Sequence, residues 1–179
     1  ARLEIQGGQR LSGRVRAAGA KNTIIKLMAA TILIEEPIAL TNVPHLHDVK
    51  TMVSLLEYMG ATCIWNGSEG LSIAAGSLAG TKAPYHLVRT MRASFNVLGP
   101  LLARYGQAEV SLPGGCAIGT RPVDQHLAGL AALGASVTIC GANRDETGYG
   151  HCVYAGARRF RVGRDGELWP RERVQAWLA

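Results

Sequence analysis

One pattern occurs twice in this chain of 179 residues, and it restricts the fold more than composition does. The first copy, KNTIIKLMAATILIEEPIALTNVPHLHDVKTMVSLLEYMGAT, begins at Lys21. The second, MRASFNVLGPLLARYGQAEVSLPGGCAIGTRPVDQHLAGLAALGAS, begins at Met91. Each reads as an apolar helix, a short strand, a proline-bearing loop, then an amphipathic helix closed by Gly-Ala and a Thr or Ser. The first helix of copy one is apolar almost all round, which predicts burial. Its second helix is expected from Asp48 to Met59, with Val49, Met52, Val53, Leu56 and Met59 on one face. Asp48 is the expected N-cap, and Gly60 the residue just past the end. In copy two, Val123, Leu127 and Leu130 repeat the stripe and Gly134 ends it. TCIWN and SVTIC read as strands, and LSIAA (Leu71 to Ala75) as the hairpin partner of TCIWN across GSEG. Strands alternating with helices predict the α/β class, with copies of one unit packed round a shared core.

The repeat also locates an insertion. Pro44 and Gly60 are 16 positions apart and Pro113 and Gly134 are 21 apart, so copy two is five residues longer, within GGCAIGT. Copy one closes without this loop, so the scaffold does not need it, and added loops tend to carry function. The loop holds Cys116, with Arg121 five residues on. Loop N–H groups and a guanidinium stabilise a thiolate, so Cys116 is a candidate acid or nucleophile. Cys63 and Cys140 fall on expected strands and read as inert small apolar residues. Cys152 falls where the pattern gives no reading.

Composition narrows the partners. The net charge is +6, which suits an anionic ligand, yet no lysine run or basic-aromatic interleaving points to nucleic acid. No apolar run is long enough to span a bilayer, and no secretory leader is recognisable, so no membrane partner is expected. The four cysteines lack C-x-x-C spacing, which argues against a zinc site or dithiol pair; a reduced, cytoplasmic setting is the default.

The segments SGRVRAAGAKN, NVPHLHDV, LLEYMGA, RTMRAS, GPLLARYGQAEVSLPGGCAIGTRPVDQH and GLAALGA lie between Leu3 and Val137. Together they resemble the UDP-N-acetylglucosamine enolpyruvyl transferase family (UDP-N-acetylglucosamine 1-carboxyvinyltransferase). The resemblance implies an inside-out α/β barrel-like fold of repeated βαβαββ units, incomplete in this chain. It divides the chain into residues 1–16, a strand segment belonging with a second domain, residues 17–140, two repeat units carrying the cysteine loop, and an unassigned tail, 141–179. It implies transfer of enolpyruvate from phosphoenolpyruvate to the 3′-hydroxyl of UDP-N-acetylglucosamine with release of phosphate, the first committed step of peptidoglycan synthesis. No cofactor or metal is implied, and the oligomeric state is left open. The related enolpyruvylshikimate-phosphate synthase family reads Lys-Ser where this chain has Lys21-Asn22, and lacks the cysteine loop.

By this resemblance Cys116 is the general acid that protonates the methylene carbon of phosphoenolpyruvate, and the residue alkylated by fosfomycin. Lys21, Asn22 and Arg121 would bind phosphoenolpyruvate. Asn22, Arg92, Arg121, Pro122, Val123 and Asp124 would bind the UDP-sugar. Elementary chemistry agrees in part: helix N-termini attract anions, and arginine offers a planar fork to carboxylate or phosphate. The plainer alternatives are N-caps for Asn22 and Asp124 and a solvated surface residue for Arg121. His126 reads as helix surface, and Lys26 carries no functional reading.

The chain also departs from the family. No residue matches the family's proposed aspartate base or its further phosphoenolpyruvate arginine. From Gly141 onward there are seven arginines and no lysine in 39 residues. PRERVQAWLA is expected to form a terminal helix, and the opening strand RLEIQ to leave an edge prone to association. The expectation is a truncated form with half the site, turning over poorly alone. Three other readings stand beside it: a non-catalytic UDP-sugar or anion-binding remnant, an enolpyruvylshikimate-phosphate synthase relative, and a basic nucleic-acid binder resting on charge alone.

Overall fold

The computed structural model describes residues 2–4, 6–8, 10, 12–112, 123–145, 148–156, 159–162 and 167–170. Cys116, Arg121, Pro122 and the expected terminal helix from 171 onward lie outside the described residues.

Copy one folds as helix α1 (Lys21–Ala30), a 3₁₀ turn (Thr31–Leu33), β1 (Ile38–Leu40), α2 (His47–Tyr58), β2 (Thr62–Asn66) and β3 (Gly70–Ala74). The three strands form an antiparallel sheet in the order β1-β3-β2. Copy two follows with β4 (Lys82–Ala83), a short helix α3 (Tyr85–Val88), a 3₁₀ segment (Arg92–Val97) leading into α4 (Leu98–Tyr105), and β5 (Gln107–Ser111). After the inserted loop come α5 (Asp124–Ala132), β6 (Ser136–Asp145) and β7 (Gly148–Gly156). Its sheet has the order β4-β5-β7-β6, with β4 parallel to β5 and the other pairs antiparallel. Thus β5-β7-β6 repeats β1-β3-β2, and copy two shows a whole βαβαββ unit. Residues from the unread tail supply β7, which places Cys152 opposite Ser111 and Cys140. A two-stranded ribbon, β8 (Arg159–Val162) with β9 (Glu167–Pro170), comes last.

The two units share one apolar core. Ile25, Met28 and Ile32 of copy one, and Leu98, Leu101 and Leu102 of copy two, are all at most 1% exposed in the same cluster. Helix α2 buries Val49, Met52, Val53, Leu55 and Leu56, the expected stripe with Leu55 added. Each such side chain contributes about 1.5–3 kcal/mol on burial. Gly60, at φ 102°, ends this helix in the left-handed region, as expected.

Several expectations are corrected. Helix α1 is not buried all round: Lys21, Asn22, Thr23, Lys26 and Leu27 are exposed while Ile24, Ile25, Met28 and Ala29 are buried. The predicted all-round burial weighed hydropathy and missed this polar side. Helix α2 starts at His47 behind an extended Leu46, so Asp48 sits inside the first turn and is not the N-cap. Likewise the flanking residues of α1 and α5 are Ala20 and Val123, not Asn22 or Asp124. The stripe Val123, Leu127 and Leu130 on α5 is half-buried, and no α5 residue is fully buried. RLEIQ, expected to pair outside these units, meets no described strand, and Leu3 is 86% exposed; this leaves that expectation untouched.

Candidate functional site

Three helical segments begin at one place. The starts of α1 and of the 3₁₀ segment at Arg92 belong to different copies, and α5 begins directly after the inserted loop. The first N–H groups of a helical segment have no acceptor inside the helix, and they carry its positive end. Between these starts lies a cleft of about 330 Å³. Asn22 and Lys26 of α1 line it, with Arg92, Ala93, Phe95 and Asn96 of the 3₁₀ segment and Val123 and His126 at the start of α5. Its lining contains two cations and no carboxylate among the described residues. Amide, imidazole and guanidinium groups facing a cationic cleft suit a phosphorylated ligand.

Asn22, Arg92 and Val123, far apart in sequence, are therefore brought together. Lys21 and Asp124 do not line this cleft. The Lys21 Nζ donates to Oδ2 of Asp48 at 2.7 Å, which ties the start of α1 to the first turn of α2. That bond explains why Asp48 is not spent as a cap, although its charge still suits a helix N-terminus. His126 is exposed as expected, but its ring also meets Phe95 edge-on at 6.2 Å between centroids, which orients it at the cleft wall. Ser94, next to Arg92 in the same turn, buries a hydroxyl with no hydrogen-bond partner among the described residues.

Sequence reasoning missed Lys26. The signal was present: it is the single charged residue between Lys21 and Glu35, and it stands four positions after Asn22, on the same helix face. Cys63 is half-buried, and burial with the nearby Glu57 carboxylate pushes its thiol up to about 11. Cys152 is 2% exposed. Cys63 fits the inert reading made for it, while Cys152, left unread from the sequence, takes a buried position on β7. Among the described residues no His, Cys, Asp and Glu cluster could hold a metal, and no helix is long and apolar enough to cross a membrane.

The arrangement of repeated units matches a known class. The crystal structure of the enolpyruvyl transferase NikO from Streptomyces tendae superposes with a TM-score of 0.65 at 24% identity, over 86% of this chain and 32% of that one. The fold is thus that of an enolpyruvyl transferase, in part. Residues 5–145 match the EPSP synthase (3-phosphoshikimate 1-carboxyvinyltransferase) family, and the chain belongs to it. Among its curated relatives is a UDP-N-acetylglucosamine 1-carboxyvinyltransferase of Dichelobacter nodosus, 54% identical over 77% of this chain and 33% of the relative. Enzymes of the same name from Coxiella burnetii and Acinetobacter baylyi are 52% and 53% identical over 77% and 85% of this chain. The chain spans about a third of the length of these relatives.

Proposed function

We propose that this chain forms the cysteine-loop wall of the active site of a UDP-N-acetylglucosamine 1-carboxyvinyltransferase. The reaction moves enolpyruvate from phosphoenolpyruvate to the 3′-hydroxyl of UDP-N-acetylglucosamine and releases phosphate, in the cytoplasm, toward peptidoglycan. The observation that carries the reading is the cleft itself, which unites Asn22, Arg92 and Val123. Identity of 52–54% to relatives of that name supports it over the shikimate-directed branch of the family. In this reading Cys116 gives its proton to the methylene carbon while the sugar hydroxyl adds to the neighbouring carbon and yields its own proton to a general base, a role that no residue of this chain matches. Loss of phosphate and of one proton from the resulting methyl group then restores the double bond. Lys21, Asn22 and Arg121 hold phosphoenolpyruvate; Asn22, Arg92, Arg121, Pro122, Val123 and Asp124 hold the UDP-sugar.

Binding and alkylation test this wall without requiring turnover. Calorimetric titration should show saturable binding of UDP-N-acetylglucosamine, weakened about tenfold by Asn22→Ala, the expected effect of one buried hydrogen bond lost to a polar ligand. Fosfomycin should add to Cys116, ahead of Cys63, Cys140 and Cys152 by peptide mass mapping, and the adduct should vanish in Cys116→Ser. No saturable binding, or alkylation of a strand cysteine first, would sink the reading.

A further inference from the structure

We infer that Lys26 is a further substrate-binding residue of this cleft, supplying an ammonium to a phosphoryl group held there beside Arg92. This rests on the reading of the cleft as a substrate-binding wall.

The placement comes from helix geometry. Lys26 follows Asn22 by one turn of α1, about 6 Å along the axis, so both side chains leave the same face. Both line the cleft, and Arg92 lines it from the other copy. Lys26 stands on the exposed side of α1. It interrupts an apolar run from Ile24 to Ile34, and no ion pair holds it among the described residues. By contrast Lys21 is committed to Asp48 at 2.7 Å, and Lys82 to Glu109 at 3.0 Å. Among the described residues the lining holds no carboxylate that could pair with Lys26. Two cations from different copies lining one cleft favour a ligand of more than one negative charge. A phosphoryl or diphosphate group fits that description. A lysine on a flexible stem can follow a phosphate oxygen as a point charge, whereas Arg92 offers a fixed fork.

The bland reading is a solvated lysine on an exposed helix side, and Lys50 on α2, also exposed, supplies its control. The full chain is titrated with inorganic pyrophosphate, UDP-N-acetylglucosamine and neutral uridine, at low and at high salt. Lys26→Gln should weaken pyrophosphate and the UDP-sugar about three- to tenfold, as expected for one partly exposed charge-assisted contact. Uridine binding should not change. Lys26→Arg should stay within about twofold of the parent, and the loss should shrink at high salt. Thermal melting of Lys26→Gln should match the parent, since the residue is exposed. Equal affinity in Lys26→Gln, or the same loss in Lys50→Gln, overturns the inference. Binding of pyrophosphate but not of the UDP-sugar, with pyrophosphate weakened by Lys26→Gln, upholds Lys26 and sinks the functional reading. A parent chain that binds neither ligand overturns both.

Discussion

Replacing Arg104 by methionine should cost about 3 kcal/mol of folding stability. The residue sits near the end of α4 in copy two, and its side chain is 11% exposed. Its Nη1 donates to the carbonyls of Ile32 at 2.7 Å, Ile34 at 3.1 Å and Ala75 at 3.2 Å, and Nη2 donates to that of Gly76 at 2.6 Å. All four carbonyls belong to copy one, where the helix after α1 and the strand β3 end. Methionine keeps much of the apolar stem but no donor. The carbonyls of Ile32, Ala75 and Gly76 are bonded in part-buried surroundings, and leaving each unpaired costs about 1 kcal/mol, the low end of the usual range. The Ile34 bond is exposed, so water replaces the donor there. The ion pair to Glu35, at 3.5 Å with the Glu35 side chain 86% exposed, adds nothing measurable. The sum is about 3 kcal/mol, which corresponds to a melting point lower by roughly 6–12 °C for a chain of this size. Arg104→Lys should fall between, because one ammonium satisfies fewer of the spread carbonyls. Glu35→Gln should match the parent. Urea unfolding followed by circular dichroism measures all three. A methionine variant within about 1 kcal/mol of the parent, or a lysine variant equal to it, would refute the claim that this guanidinium fastens the two copies together.

Two further outcomes follow from the same structure. Gly60→Ala should cost about 2 kcal/mol or more, because φ is 102° and the new methyl would lie 2.7 Å from the Ala79 nitrogen; Gly67→Ala, at φ 66° with open space, should cost about 1 kcal/mol. Equal losses in chemical denaturation would show that the Ala79 contact is irrelevant. Cys63 keeps its proton in the folded state up to about 11, against 9.0 when free, so the unfolded chain loses that proton first. Its contribution is therefore complete below pH 9 and declines toward 11. Stability measured across that window should fall more steeply in the parent than in Cys63→Ala; parallel curves would mean that the thiol is not held in a desolvated site.

What could be read from the sequence was local. TCIWN was legible residue for residue as β2, because alternation and a Gly-rich turn act within ten positions. The start of α1 at Lys21 was legible, but the start of α2 was misread, and the N-cap alternatives for Asn22 and Asp124 fail as well. Asn22, Asp48 and Asp124 are good cap residues by type, yet each sits inside its helix. A cap requires the side chain to turn back on its own backbone. Asp48 is instead bonded to Lys21, and Asn22 faces the cleft. Local rules fail where a side chain is committed elsewhere, which is where function tends to lie.

The repeat held more than was taken from it. If TCIWN has a hairpin partner, SVTIC needs one too, and β7 is that partner, disguised by glycines at both ends and paired on its other side with a strand some forty residues earlier. The same reasoning bears on the site. Asn22 and Lys26 come from one copy, and Arg92 comes from the other. Neither unit alone forms the cleft: copy one brings the start of α1, and copy two brings the starts of the 3₁₀ segment and of α5. The seam between the copies juxtaposes those starts, and Arg104 holds that seam at its far end through copy one's carbonyls. A substitution that loosens the seam should therefore weaken ligand binding without touching the ligand. Arg104→Lys is the variant that separates the two effects: at a temperature where it is still fully folded, its affinity for pyrophosphate should drop if the seam sets the cleft, and should equal the parent's if the cleft is held by local packing alone.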